Sequence, residues 1–233
     1  MEIVEGIHQV EGINGNVFIV VDEDELTIID TGMPRNAKKI LDYIRKMNQQ
    51  PSDVSTIMLT HCHMDHMGSA HDLKELTNAK VAVHEMDADF VAGKKTPPAP
   101  KGATGLLIRA FSGFIKPKPV QPDIILKEND HVGELVVVHT PGHTPGSISL
   151  LDPARRVLFV GDAIRVVDDK IDSPSERNSF NIQLAMKSIK KISQLDFDVL
   201  LSGHGLPLRS DASGQVREFL ASSGHKSKDD AIP

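Results

Sequence analysis

Short apolar runs alternate with turn-forming stretches along the chain, and the period of the apolar positions changes from one run to the next. Val17 to Val21 and Leu26 to Asp30 are β-branched runs flanking the acidic cluster Asp22 to Glu25, which predicts two strands joined by a turn. "NAKKILDYIRKMN" then takes helical spacing, Ser55 to Thr60 predicts a strand, "GSAHDLKELTN" is again helical, and "AKVAVHE" predicts another strand. The second half repeats the plan. "GELVVVHTPGHTPGSISLLDPARRVLFVGDA" predicts three strands with Asp-Pro-Ala-Arg-Arg as a hairpin turn. A helix follows from about Ser179 to Gln194, and "FDVLLSGHG" predicts a last buried strand. Each half carries strands, a polar turn and a helix, as a duplicated sandwich would, alike in layout and not in residue identity.

Gly93 to Asp123 breaks the pattern, being rich in Pro, Gly and Lys around one apolar stretch. Leu107, Ala110, Phe111 and Phe114 fall at helical spacing, which predicts a short amphipathic helix between two proline-rich arms. Such a connection serves as a lid, as a dimer contact or as a face docked on the core.

Composition sets the bounds. With 233 residues, 39% hydrophobic and 25% charged, one domain spanning 1–233 is expected, with the insertion at about 93–123. No apolar run reaches the length of a membrane span. The net charge of −6 and the lack of a basic stripe disfavour a nucleic-acid partner, leaving a small-molecule substrate and a possible homodimer. The N-terminus opens with acids and lacks the cationic start and apolar run of a secretory signal, so a cytoplasmic protein is expected. A single cysteine, Cys62, excludes an intramolecular disulfide and fits a reducing compartment.

Chemistry concentrates in "LTHCHMDHMGSAHDL", where His61, His63, Asp65 and His66 fall within six positions after a predicted strand. His143, Asp162 and His204 also follow predicted strands. Ligands gather at the carboxyl ends of strands in α/β sheets, so one sheet edge is expected to bring all seven side chains together. Imidazole and carboxylate without thiolate suit zinc, iron, manganese or cobalt. Seven ligands exceed one tetrahedral shell. Shared between two ions with a carboxylate bridging, they leave room for a water, whose pKa a metal can lower from about 15.7 to about 7.

"THCHMDHMG", with His143 in "TPGHTPGS", Asp162 in "FVGDA" and His204 in "LLSGHG", resembles the metallo-β-lactamase-fold hydrolase superfamily from about Gly15 to Leu206. The resemblance implies an α/β protein, a four-layer αββα sandwich with two similar halves. It implies two divalent metal ions, zinc first and iron or manganese as alternatives. One would be held by His61, His63 and His143, the other by Asp65, His66 and His204, with Asp162 bridging and Asp30 of "IIDTG" keeping the loop in shape. It further implies hydrolysis of a lactone, carboxylic ester or thioester by a metal-bridging hydroxide, with Asp65 as the catalytic residue orienting the second metal and managing the proton. The alternatives are a mononuclear iron persulfide dioxygenase and a glyoxalase-II-type glutathione thioesterase of the same fold. Asp162 stands where the true β-lactamases of the family usually have cysteine, which disfavours antibiotic hydrolysis. Tyr43 lies in the early helix, a poor place for a lactonase tyrosine.

Other polar residues take plainer readings. His8, His131 and His225 are expected in solvent, His71 at the surface or behind the ligands, and His139 beneath the His143 turn. His84, at a strand end, either faces the pocket or caps the next element. Cys62 should be a packed thiol. Arg165, Lys170 and Arg177 either meet an anionic substrate or belong to a solvated loop.

Overall fold

Strand residues here alternate between two apolar environments, and that alternation builds the layers. The computed structural model describes residues 1–23, 25–97, 116–172 and 174–226, with no side-chain description for 223–226. The insertion residues Leu107, Ala110, Phe111 and Phe114 lie outside the described residues, as does the side chain of His225.

The first half forms a seven-stranded sheet in sequence order: β1 (Glu2–Val4), β2 (Ile7–Gln9), β3 (Phe18–Asp22), β4 (Glu25–Ile29), β5 (Val54–Leu59), β6 (Lys80–His84) and β7 (Ile124–Leu126). β1 to β4 pair antiparallel and β4 to β7 parallel. Parallel neighbours need crossovers, which here carry helices α1 (Ala37–Lys46), α2 (Met64–Met67), α3 (Ala70–Thr77) and α4 (Glu85–Val91). The second half forms a five-stranded sheet from β8 (His131–Val132), β9 (Leu135–His139), β10 (Ile148–Asp152), β11 (Val157–Gly161) and β14 (Val199–Ser202), ordered β14-β11-β10-β9-β8. A small hairpin, β12 (Arg165–Val167) with β13 (Lys170–Asp172), and helix α5 (Ile182–Ile192) fill the crossover from β11 to β14. Helix α6 (Ala212–Lys226) follows.

Period two then sorts the side chains. From the first sheet Phe18, Val20, Ile29, Met58 and Ala82 pack against Val137, Ile148, Leu150, Phe159 and Leu201 of the second. Phe18 and Phe159 meet edge to face across this seam with centroids 5.4 Å apart. The intervening residues Ile19, Ile28, Ile57, Leu59, Val81 and Val83 turn to the opposite face, against Ile40 and Ile44 of α1 and Leu73 of α3. In the second sheet Leu158, Val160 and Leu200 do the same against Ile189 and Ile192 of α5 and Val216 of α6. Helices, sheet, sheet and helices therefore stack in the expected αββα order, one sheet from each half.

Among the described residues, the predicted strands and helices stand within a few residues of their expected ends. Three-residue strands β1, β2 and β7, the two-residue β8, the hairpin β12 and β13, and helices α2, α4 and α6 were not anticipated from the pattern. They are too short or too mixed in polarity to carry a period.

Candidate metal centre

Each of the seven predicted side chains stands just past a strand end, yet the strands belong to both sheets. His61 and His63 follow β5, with Asp65 and His66 on α2; His143 lies in the β9–β10 loop, Asp162 after β11 and His204 after β14. The expectation of a single sheet edge is corrected accordingly: the pocket spans the matching ends of two facing sheets, because each half of the chain makes its own sheet. The ends are tied directly, with Ile148 N–H donating to the Thr60 carbonyl at 2.9 Å and Asn16 N–H to the Gly203 carbonyl at 2.7 Å.

The side chains converge into three overlapping groups, His61 with His63 and His143, His61 with His66 and Asp162, and Asp65 with His66 and His204, with donor atoms within 4.8 Å of one another in each. Asp162 stands between them: Oδ2 lies 3.3 Å from His143 Nε2 and 3.6 Å from His204 Nε2, and Oδ1 lies 3.4 Å from His66 Nε2. Gly203 permits this closeness. A Cβ there would sit 2.3 Å from Asp162 Oδ1 and 2.7 Å from His66 Cε1.

Asp30 sets the tautomers. Its backbone is left-handed, with φ 59°, which Asp tolerates better than most residues. Its carboxylate accepts from Thr60 N–H at 2.8 Å, from Thr60 Oγ1 at 2.7 Å and from His66 Nδ1 at 2.8 Å. His66 therefore turns Nε2 into the pocket. Thr60 has spent its proton on Asp30, so its hydroxyl can only accept from His61 Nδ1, 3.0 Å away. That leaves the lone pair of His61 on Nε2.

These lone pairs lack partners. Nε2 of His61 and Oδ1 of Asp162 are buried without a hydrogen bond. Imidazole nitrogens also face each other, His143 Nε2 with His63 Nδ1 at 2.8 Å and His66 Nε2 with His204 Nε2 at 3.4 Å. Burial holds His61, His63 and His143 neutral, His143 pushed down to about 3 despite the opposing pull of Asp162. Burial also disfavours charge on His66, yet Asp162 and Asp30 overcome it and raise that imidazole to about 10. Against its own burial, Asp65 is held below the usual carboxylate range by the His204 hydrogen bond and by His66. Neutral nitrogens on the three-histidine group, and carboxylates that draw positive charge onto His66, favour a cation, so the donor set fits divalent metal ions. His61, His63 and His143 can hold one ion, Asp65, His66 and His204 another, and Asp162 can reach both.

Sequence reasoning missed three supporting residues. Thr60 is the relay just described. Asn16 donates from Nδ2 to the Ser202 and Gly205 carbonyls, each at 2.9 Å, and so brackets the turn bearing His204. Asp87 is fully buried in α4 and accepts from Cys62, Thr144 and Gly146. The acid in "VAVHEMD" could have hinted at Asp87; "GINGNV" offers no signal for Asn16.

The remaining candidates resolve locally. His84 caps α4, its Nδ1 accepting from Met86 N–H at 3.3 Å, and stacks on His139 at 3.9 Å, so the capping reading holds. His139 lies under the His143 turn, with Nε2 3.0 Å from the Pro145 carbonyl. Cys62 is a buried thiol that burial pushes up, as expected of a packed residue. His131 is exposed, but His8 is not in open solvent: it is half-buried against Tyr43, edge to face at 6.1 Å. His71 is half-buried on α3, 3.6 Å from Asp72. Arg165 faces Asp172 at 3.7 Å, Lys170 is exposed, and Arg177 has partners of its own. None of these, nor Tyr43, belongs to the three donor groups.

A four-layer sandwich with histidines and aspartates at the matching sheet ends defines a metallo-hydrolase-type centre, and the chain belongs to the metallo-beta-lactamase superfamily, which it matches over residues 10–204. It is 29% identical over 235 residues to the probable metallo-hydrolase YflN of Bacillus subtilis (strain 168), covering 89% of this chain and 86% of that one. It is 27% identical over 238 residues to the acyl-coenzyme A thioesterase MBLAC2 of Homo sapiens, covering 93% and 80%. The crystal structure of the metallo-beta-lactamase family protein TTHA1429 from Thermus thermophilus superimposes with a TM-score of 0.73 at 19% identity, covering 96% and 81%.

Proposed function

We propose that the protein is a dinuclear metal-dependent hydrolase of small-molecule acyl compounds, with an acyl thioester as the favoured substrate and lactones and carboxylic esters as related ones. The carrying observation is the convergence of the donor groups around Asp162, with His66 oriented by Asp30 and the bare Nε2 of His61 oriented by Thr60. Zinc fits the borderline donors best, and iron or manganese are compatible. Bound there, the ions would supply Lewis acidity and lower the pKa of water towards about 7.

The chain's own residues do the rest. Asp65 is one-third exposed, whereas His66 beside it is fully buried, so the Asp65 carboxylate is the acid within reach of substrate. Being ionised at neutral pH, it offers a carboxylate oxygen to the proton that hydrolysis releases. His204 is 41% exposed and marks the open side of the pocket, through which a leaving group would depart. Two exposed apolar residues lie near ligands, one through a hydrogen bond and one in the chain. Phe180 donates its backbone N–H to the His143 carbonyl at 3.1 Å, and Leu206 lies two positions after His204. They favour an apolar acyl group, as does the likeness to a relative described as an acyl-coenzyme A thioesterase.

The test is a matched panel of a medium-chain acyl thioester, a lactone of the same chain length and an aryl ester, with and without chelator. Thioester hydrolysis that chelation abolishes and zinc or manganese restores supports the reading. Oxygen uptake on a persulfide substrate, with no hydrolysis of the panel, would overturn it in favour of the dioxygenase.

A further inference from the structure

Asp87 is a charged residue with no solvent exposure, on a helix that contributes no candidate ligand. Burying a carboxylate is costly unless it is hydrogen-bonded throughout, and here the partners are specific. Oδ2 accepts from Cys62 N–H at 2.9 Å and from Thr144 Oγ1 at 2.7 Å; Oδ1 accepts from Gly146 N–H at 2.8 Å. Cys62 lies between His61 and His63, and Thr144 directly follows His143. One carboxylate therefore grips, at the adjoining residue, both loops that supply the three-histidine group. Those loops come from opposite sheets. Gly146 is seated so closely that a Cβ would lie 2.6 Å from Asp87 Cγ, so its backbone rests directly on the carboxylate.

The other donor group is braced elsewhere. His66 is oriented by Asp30, and the His204 turn is bracketed by Asn16, and neither makes a hydrogen bond to Asp87. We infer that Asp87 is a positioning residue that holds His61, His63 and His143 at metal-binding separation, independently of the Asp65, His66 and His204 group. The inference rests on the dinuclear reading above.

A crossed design tests both separately. Full-length His204→Ala should retain only the three-histidine site, and His63→Ala only the other, each read by Co(II) titration and its visible absorption. Asp87→Asn keeps the side-chain shape but turns an amide NH2 towards one of the three donors. It should weaken Co(II) binding about 10- to 100-fold in the His204→Ala chain, the range for groups that orient metal ligands, and change the band shape. In the His63→Ala chain the affinity should stay within about twofold, well below that range. Thr144→Val removes one donor only and should weaken the same site by a smaller factor. It carries the test if Asp87→Asn fails to fold. Equal weakening in both backgrounds, or none in the His204→Ala chain, would overturn the assignment. Parent single-site chains that bind no cobalt would overturn the dinuclear reading itself, and this inference with it.

Discussion

Replacing Asp30 by asparagine tests whether one buried carboxylate sets the imidazole tautomers. Asp30 is 2% exposed and receives three donors within 2.8 Å. Asparagine tolerates the left-handed backbone, φ 59°, so the change isolates the loss of an acceptor. With its oxygen placed to serve Thr60 Oγ1 and His66, the amide nitrogen must face Thr60 N–H. Flipped, it confronts the other two. One orientation strands one buried donor and the other strands two. A stranded buried donor costs about 1 to 3 kcal/mol, and for a chain of this size each kcal/mol lowers Tm by about 2 to 4 °C, giving a fall of roughly 2 to 12 °C. Freed from its carboxylate, His66 should also bind metal about 10- to 100-fold more weakly. Thermal unfolding of chelated protein reads the first effect, and Co(II) titration reads the second. An Asp30→Asn protein with unchanged Tm and metal affinity would refute the tautomer argument.

Two more outcomes are expected. His84 is held down to about 4 by burial and then by His139, against an ordinary value of 6.5, so below pH 6.5 the unfolded chain takes a proton that the native imidazole refuses. Stability is therefore complete above pH 6.5 and falls towards pH 4, by about 1.4 kcal/mol per unit. Urea unfolding at pH 7 and pH 5 should show wild type losing about 2 kcal/mol relative to His84→Asn, which keeps an N-cap acceptor; parallel losses would contradict the shift. Gly203→Ala places a methyl against Asp162 and His66 and should lower kcat by about 100-fold with the fold retained. Full activity in that variant would show that the Asp162 position does not matter.

The sequence made the site legible and its supports obscure, for a physical reason. Ligands must be His or Asp at strand ends, and that chemistry is visible in "THCHMDH" and in the glycine-flanked turns at His143 and His204. Supports such as Asn16 and Asp87 act through backbone groups of residues distant in the chain, 186 positions away from Asn16 to Ser202. Their identity leaves no local pattern. The strands around Ile19, Ile28 and Ile57 were visible because both of their faces are buried, which leaves unbroken apolar, β-branched runs. α6, in contrast, begins "ASGQVREF" with small and polar residues, and its docking through Ala212 and Val216 is a tertiary fact. The pocket's position across two sheets was likewise hidden, since strand order within each half says nothing of how the two halves face.

The proposed function requires two separate donor groups that hold two ions around Asp162. The direct measurement is elemental analysis of protein purified without added metal, alongside His63→Ala and His204→Ala. The dinuclear reading requires close to two ions per wild-type chain and close to one in each variant. One tightly held iron per wild-type chain, unchanged in His204→Ala, would contradict it.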